Sequence, residues 1–455
     1  MPDDSVDLQL LARQVAALMP RAHDDLARLV AFRSVADAQV APLDECLRCA
    51  QYVADAFAGV GLEELELLPL AHGHPAVYGR RPAPAGAPTV LLYCHYDVQP
   101  PQNEAAWQSP PFQLTERDGR WYGRGAADCK GNIAMHLTAL RALGPELPVG
   151  VVLLAEGSEE QGLGELEAAV PSLADRLRPD AIVVADSGNV ADGEPTLETT
   201  LRGMALVDVG VRTLASPMHS GSFGGPAPDA LVALIRMLAS FHDAGGDVTI
   251  AGLDARQVWT GTAYPPERFR QDAHVLDGVE LTGSGSVADQ VWARPSLTVL
   301  AIDCPRIVGS AGVVQAEARA RVSLRVPPGT SAVAAQAALV SQLRAVAPWH
   351  VDLTITEHVP SEPFEARTDG PAYEAMREAL SEAYGRAAGT IGQGGSIPLC
   401  NVFQQTFPAA EIMLLGVEEP SCLIHAPNES VDPAEIERMA LAEALFLQRL
   451  GRARA

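Results

Sequence analysis

The sequence predicts an α/β fold: a mostly parallel sheet flanked by helices, interrupted by an inserted α+β domain. Short, continuous apolar runs at 89–94, 149–155, 181–185 and 412–415 are separated by helix-period stretches, as expected of strands buried on both faces of a parallel sheet. After about Thr200 the pattern changes to more strongly alternating runs at 206–211, 296–302, 315–326 and 351–357, with helical candidates only at 228–241 and 331–346. That combination predicts a mostly antiparallel sheet carrying two helices. The α/β pattern returns with a helix at 371–384 and closes with one at 433–450. The expected division is therefore 1–200 and 364–455 for the α/β domain and 201–363 for the insertion.

Taken in order, 6–32 carries apolar residues at helical spacing and reads as one or two helices, and 44–57 reads as an amphipathic helix. Cys46 and Cys49 form a lone C-x-x-C on that second helix, without the second pair a structural zinc site needs. Helices are expected at 132–143 and 165–177, between the apolar strands. Residues 81–88 are a short Pro/Ala stretch, and 242–295 are rich in Gly and Asp without an assignable element.

Composition narrows the function classes. A chain of 455 residues with 47% hydrophobic and 20% charged side chains is an ordinary globular protein of two or three domains. Its net charge of −24 repels a polyphosphate partner, so nucleic acid is not expected. No apolar run approaches the ~20 residues that span a bilayer. The acidic Met1-Pro2-Asp3-Asp4 start lacks the features of a signal peptide, so a cytoplasmic location is expected. Seven scattered cysteines do not form a disulfide framework.

Metal-type side chains fall just past the apolar strands. His95 and Asp97 follow 89–94, Glu159 and Glu160 follow 149–155, and Asp186 follows 181–185. His425 comes a loop after 412–415, and Asp128 lies in the Gly-rich loop 123–131. Sites in open α/β sheets form outside the carboxyl ends of the strands. Any one of these residues alone is as well explained as a helix cap or turn residue; the recurrence at successive strand ends is not. Crowded carboxylates repel one another, and a pair of divalent cations removes the conflict. Mixed imidazole and carboxylate ligands suit zinc or manganese better than calcium, with cobalt also compatible. Lys130, the only lysine, sits in the Gly-rich loop, but the spacing is not that of a phosphate loop. Ser220 and Ser222 lack the G-x-S-x-G elbow of a nucleophile. His72, His74, His136, His242, His274, His350 and His358 read as packing or surface residues.

The motifs His95-Tyr96-Asp97-Val98-Gln99-Pro100, Gly123-Arg124-Gly125-Ala126-Ala127-Asp128-Cys129-Lys130-Gly131 and Glu156-Gly157-Ser158-Glu159-Glu160-Gln161-Gly162 resemble the metal-site motifs of the aminoacylase/carnosinase family of di-zinc exopeptidases. The likeness is greatest to the branch of cytosolic nonspecific dipeptidase and the carnosinases. Further matches follow in the family's order: Asp186-Ser187, Leu201-Arg202-Gly203, His219-Ser220-Gly221, Ser323 to Pro327, Gly394 to Pro398 and His425 to Glu429.

The resemblance implies that Asp128 bridges two metals, with His95 and Asp186 completing one site and Glu160 and His425 the other. It makes Asp97 the partner that orients His95, and Glu159 the base that takes a proton from a metal-bridging water and passes it to the leaving amine. It also implies a homodimer formed through the inserted lid domain, in which His219 reaches across to stabilise the oxyanion, while Arg325, Gly395 and Ser396 hold the substrate's terminal carboxylate. Asp186 matches the dipeptidase and aminopeptidase branches, whereas a Glu is usual in deacylases and desuccinylases. Cleavage of dipeptides or very short peptides is therefore expected, with removal of an acyl group from an N-acyl amino acid as the alternative. Two departures stand out: Cys129 replaces a usual Asp, and Gln393 replaces a common Arg before Gly394. The family also implies a cis peptide bond at Asp128–Cys129.

Overall fold

A computed structural model describes residues 8–71 and 73–452. The acidic N-terminal residues, the expected helix start at Val6 and His72 lie outside them. In chain order the main elements are α1 (Leu8–Ala31), α2 (Asp44–Ala58), β1 (Glu63–Leu68), β2 (Ala76–Arg81), β3 (Thr89–His95), α3 (Lys130–Leu143), β4 (Gly150–Glu156), β5 (Ala181–Ala185), β6 (Thr196–Leu201), β7 (Gly203–Arg212), α4 (Ala230–Ala239), β8 (Ser296–Asp303), β9 (Glu317–Val326), α5 (Ala332–Val346), β10 (Asp352–Glu357), α6 (Pro371–Tyr384), β11 (Glu411–Leu415) and α7 (Pro433–Arg452). They fall into two compact units. The first takes the described residues up to Thr199, Ala366–Ile391 and those from Leu399 on; the second takes Thr200–Glu365 and Gly392–Pro398.

In the first unit the strands run in the order β1-β2-β4-β3-β5-β11-β6. The four central strands are parallel: β3 pairs with β4 and β5, and β11 pairs with β5. Every residue of β4 and β5 is buried, which is why these strands read as unbroken apolar runs. Antiparallel pairing of β1 with β2, β2 with β4 and β11 with β6 makes the sheet as a whole mixed. Leu26 and Leu29 of α1, Ile133 and Leu137 of α3, Met376 and Leu380 of α6, and Met439 and Phe446 of α7 join the strands in one core. The first stretch folds as a single helix that accommodates Pro20. The expected helix at 165–177 is instead three short pieces, Glu165–Ala169, Val170–Leu173 and Ala174–Leu177, with Pro171 withholding the N–H a continuous helix needs.

The second unit is a four-stranded antiparallel sheet, β8-β9-β7-β10. Ala205, Val207, Val209 and Val211 of β7 and Val322 and Leu324 of β9 share one face and meet Leu234 and Met237 of α4 and Leu339 and Leu343 of α5. Strict alternation along β7 and through much of β9 is the physical content of the change in sequence pattern after Thr200. Asp229 caps α4 by accepting from Val232 N–H, and Ser331 caps α5 by accepting from Ala334 N–H. The stretch 242–295 contains a short helix at Pro266–Asp272 and a π-helical turn at Asp289–Ala293. Among the described residues, no helix is long and apolar enough to cross a membrane.

Candidate metal centre

All of the first unit's predicted site residues gather at the carboxyl edge of its parallel strands. Register fixes this: His95 at the end of β3 lies beside Glu156 at the end of β4, and Leu415 of β11 lies beside Ala185 of β5, one residue before Asp186. The loop before α3 supplies Asp128, and the loop after β11 supplies His425.

Asp128 stands between two histidines. Its Oδ1 is 2.9 Å from His95 Nε2 and its Oδ2 is 2.9 Å from His425 Nε2. His95 Nε2 also lies 3.0 Å from Asp186 Oδ1, and His425 Nε2 lies 3.2 Å from Glu160 Oε2. One carboxylate thus presents an oxygen to each of two histidine–carboxylate pairs. Candidate ligand atoms of Asp128, Glu160 and His425 fall within 4.8 Å of one another, as do those of His95, Cys129 and Asp186. His425 is half exposed, so the centre opens to solvent, whereas His95 and Asp128 are buried.

Surrounding groups fix these side chains. Asp97 accepts from the backbone N–H groups of Glu159 at 3.2 Å and Glu160 at 3.1 Å, and its backbone oxygen is 3.1 Å from His95 Nδ1. That leaves Nε2 of His95 facing the carboxylates. Gln99 donates from its backbone N–H and its Nε2 to the two oxygens of Glu160. Glu429, fully buried, accepts from the N–H groups of Gly125, Ala127 and Asp128 and from Arg124 Nη1 at 2.6 Å. Lys130 donates to the carbonyls of Leu29 at 2.8 Å and Phe32 at 2.9 Å, tying the loop to the end of α1. The Asp128–Cys129 peptide is cis, as the resemblance implies. The buried thiol of Cys129 donates to Ala185 O at 2.9 Å.

The electrostatics are those of a crowded acidic cluster. Burial, reinforced by Asp186, raises the Glu159 carboxyl well above the usual range, and burial lifts Asp186 to about 6. Hydrogen bonds to Asp128 and Glu160 hold His425 up at about 10. Burial opposes a charged His95, but Cys129 and the carboxylates of Asp186 and Asp128 outweigh it and raise its pKa. Burial also works against the Asp128 anion, yet hydrogen bonds from both histidines win and hold its pKa low. Imidazole nitrogens turned toward clustered carboxylate oxygens form a donor set suited to divalent zinc or manganese. Glu159 itself has no hydrogen-bond partner for its carboxylate among the described residues, which leaves it free to exchange a proton.

The sequence reading missed three participants. Glu418 lies with Asp128 and Asp186, its ligand atom within 4.8 Å of theirs, and burial followed by repulsion from both raises its pKa. It belongs to an acidic pair past β11 that looks like a solvated turn in sequence. Gln99 and Glu429 sat inside the recognised motifs, but nothing in their spacing disclosed what they hold. In the second unit, His219 ends the short strand Met218–His219 and is exposed, with Nδ1 3.4 Å from Ser222 Oγ. Arg325 lies near the end of β9, half-buried, and Gly395 and Ser396 lie in the Gly392–Pro398 segment.

Among known proteins the chain is similar to dipeptidases. The cysteinylglycine-S-conjugate dipeptidase of Corynebacterium striatum is 46% identical over 406 residues, covering 86% of this chain and 88% of that one. The Beta-Ala-His dipeptidase of Rattus norvegicus is 28% identical over 384 residues, covering 79% of this chain and 77% of that one. The crystal structure of human carnosine dipeptidase 1 superposes with a TM-score of 0.83 at 23% identity, covering 98% of this chain and 99% of that one. Residues 91–449 match the model described as Peptidase family M20/M25/M40, and the chain belongs to that family.

Proposed function

We propose that this peptide-bond hydrolase cuts dipeptides or very short peptides using two divalent cations per subunit, zinc first, with manganese or cobalt able to substitute. The observation that carries the reading is Asp128, one carboxylate shared between two histidine–carboxylate pairs. His95, Asp128 and Asp186 would hold one ion and Asp128, Glu160 and His425 the other. When bound, such ions act as Lewis acids and bring the pKa of a water down to about 7.

The chain's own groups do the rest. Glu159, its carboxylate without a hydrogen-bond partner among the described residues and its pKa raised, takes the proton of the attacking water and returns it to the leaving amine. Asp97 holds the backbone of Glu159 and Glu160, so base and ligand keep a fixed relation. The second unit is assigned the part of lid and dimerisation domain. His219 would stabilise the oxyanion from a partner subunit, and Arg325, Gly395 and Ser396 would receive the substrate's terminal carboxylate. Edge strand β8 supports a homodimer: it is exposed from Thr298 to Asp303, with Leu300 at 55%. The cysteines are all free, which suits the reducing cytoplasm.

The named relatives are dipeptidases, which favours peptides over N-acyl amino acids. The test is hydrolysis of a dipeptide library and an N-acyl amino acid panel before and after chelation, with bound metal counted by elemental analysis. Turnover confined to N-acyl substrates, or undiminished after the metal is stripped, refutes the proposal. Sedimentation of the wild type and a Leu300→Glu variant tests the dimer; a monomeric active wild type removes the trans role of His219.

A further inference from the structure

Arg202 plays no part in the centre described above, yet its setting is unusual. It is 8% exposed, at the junction between β6 and β7. Its Nη1 donates to Ser296 Oγ at 2.9 Å, Gln290 O at 3.3 Å and Arg294 O at 3.5 Å. Its backbone N–H donates to Gln393 O at 3.1 Å. Nη2 lies directly under the glycine loop: a Cβ at Gly394 would stand 2.8 Å from it, so that position admits no side chain without displacing the guanidinium. One arginine therefore ties the end of the 242–295 stretch to the segment carrying Gly395 and Ser396.

Its charge is not balanced. All of these neighbours are neutral acceptors, Nε is buried without a partner, and no carboxylate pairs with Arg202 among the described residues. The nearby Arg294, by contrast, has Asp289. A second cation stands close. Arg325 pairs in register with Ser296 on one side and Met204 on the other, so it shares the helix-free face of the sheet with Ser296, the residue Arg202 holds. Arg325 has no hydrogen bond or ion pair among the described residues, and burial lowers its pKa. Burial, and then repulsion from Arg325, brings Arg202 down to about 10. Buried charges are normally paired, so two adjacent uncompensated guanidiniums call for an anion from outside the chain.

We propose that Arg202 is a positioning and specificity residue that sets the Gly394-Gly395-Ser396 loop and, by its unpaired charge beside Arg325, makes a free terminal carboxylate a requirement of the substrate. This rests on the peptidase reading and on Arg325 as the group that meets the carboxylate; Arg202 acts from beneath, through the loop and the field. It also gives a reason why the chain tolerates Gln393: a fixed cation already lies under the loop.

The experiment compares cysteinylglycine with its C-terminal amide as substrates for the wild type, Arg202→Met, Arg202→Lys and Arg325→Met, with thermal unfolding of each. Arg202→Met should raise KM for the free acid about tenfold, the scale of one charge-assisted contact, while kcat and the amide's KM change less than about threefold. Arg202→Lys keeps the charge but loses the fork that reaches several acceptors, so its acid KM should rise by a smaller factor, again without moving the amide. It decides the matter if the methionine variant does not fold. Parallel losses on acid and amide, or an unchanged acid-to-amide ratio in the folded variants, overturn the proposal. Arg325→Met separates the two levels: if it too leaves the ratio unchanged, the carboxylate reading itself fails. If it collapses the ratio while both Arg202 variants preserve it, only the role of Arg202 fails.

Discussion

Replacing Glu429 by Gln tests how the bridging residue is held. Glu429 is fully buried, and the groups around it are donors: the N–H groups of Gly125, Ala127 and Asp128 and the guanidinium of Arg124. With donors on both oxygens, the carboxylate is the form this pocket accepts. A glutamine keeps one carbonyl oxygen but turns an NH2 group toward N–H or guanidinium donors and leaves Arg124 without its counter-charge. Breaking one side of a buried ion pair costs about 3–5 kcal/mol. The retained carbonyl, and the bonds Arg124 Nη2 makes to Pro100 O and Ala426 O, place the expected loss near the lower end, about 3 kcal/mol. At about 1.4 kcal/mol per tenfold, that is roughly a hundredfold in the unfolding equilibrium. Urea denaturation measures the loss, and elemental analysis should show reduced metal retention, because one of the orphaned N–H groups belongs to Asp128. A variant within about 1 kcal/mol of wild type that keeps its full metal complement would refute the claim that Glu429 organises the loop.

Glu159→Gln should lower kcat by about 10²–10⁴ while metal content is unchanged; loss of metal would recast Glu159 as a ligand. Lys130→Met deprives the carbonyls of Leu29 and Phe32 of a donor in the core and should cost about 1–3 kcal/mol by denaturant titration, an unchanged midpoint being the contrary result. Loading the metal-free protein near pH 7.5 should release about two protons, because His95 and His425 both have raised pKa values and each must become neutral to bind a cation. Affinity should accordingly fall as pH drops, and binding enthalpies that do not differ between buffers of unlike ionisation heat would contradict this.

Much of the first unit was legible because burial on both faces writes itself as unbroken apolar runs, and β4 and β5 are such runs. The edge strand β1 and its neighbour β2 were not read: Glu63, Glu64 and Glu66 give β1 an acidic, largely exposed surface that carries no burial signal. His95, Glu160 and Asp186 were found because parallel register brings strand ends to one edge whatever lies between them in sequence. Glu418 was hidden because its neighbour Glu419 binds Arg120, and two adjacent acids with opposite fates look alike in a string of letters. The stretch 242–295 gave no periodicity because it is organised by tertiary contacts: Arg294 on Asp289, and Trp292 against Trp259 and Tyr264. Arg202 stood inside a recognised motif, but its role depends on acceptors some 90 residues away.

The way the centre is supported also bears on what happens without metal. Glu159 and Glu160 are fixed by Asp97, and Asp128 by Glu429, in each case through the backbone N–H of the functional residue. Their positions therefore do not depend on a cation, as they would in a small metal-stapled domain. The obstacle to an empty centre is repulsion among Asp128, Asp186 and Glu160, and the chain carries its own remedy. His95 and His425 both have raised pKa values, so two imidazolium charges stand between those carboxylates when no ion does. Chelated protein should consequently keep its circular dichroism spectrum and its cooperative unfolding transition, with activity lost and recovered on adding zinc. Acidification protonates the carboxylates and should loosen this metal-free centre; alkalinity should loosen it too, progressively as pH rises above the ordinary histidine value of 6.5 and in full once His425 loses its proton at about 10. Collapse of the fold on chelation at neutral pH would mean that the metals, and not the Asp97 and Glu429 carboxylates, organise the strand ends.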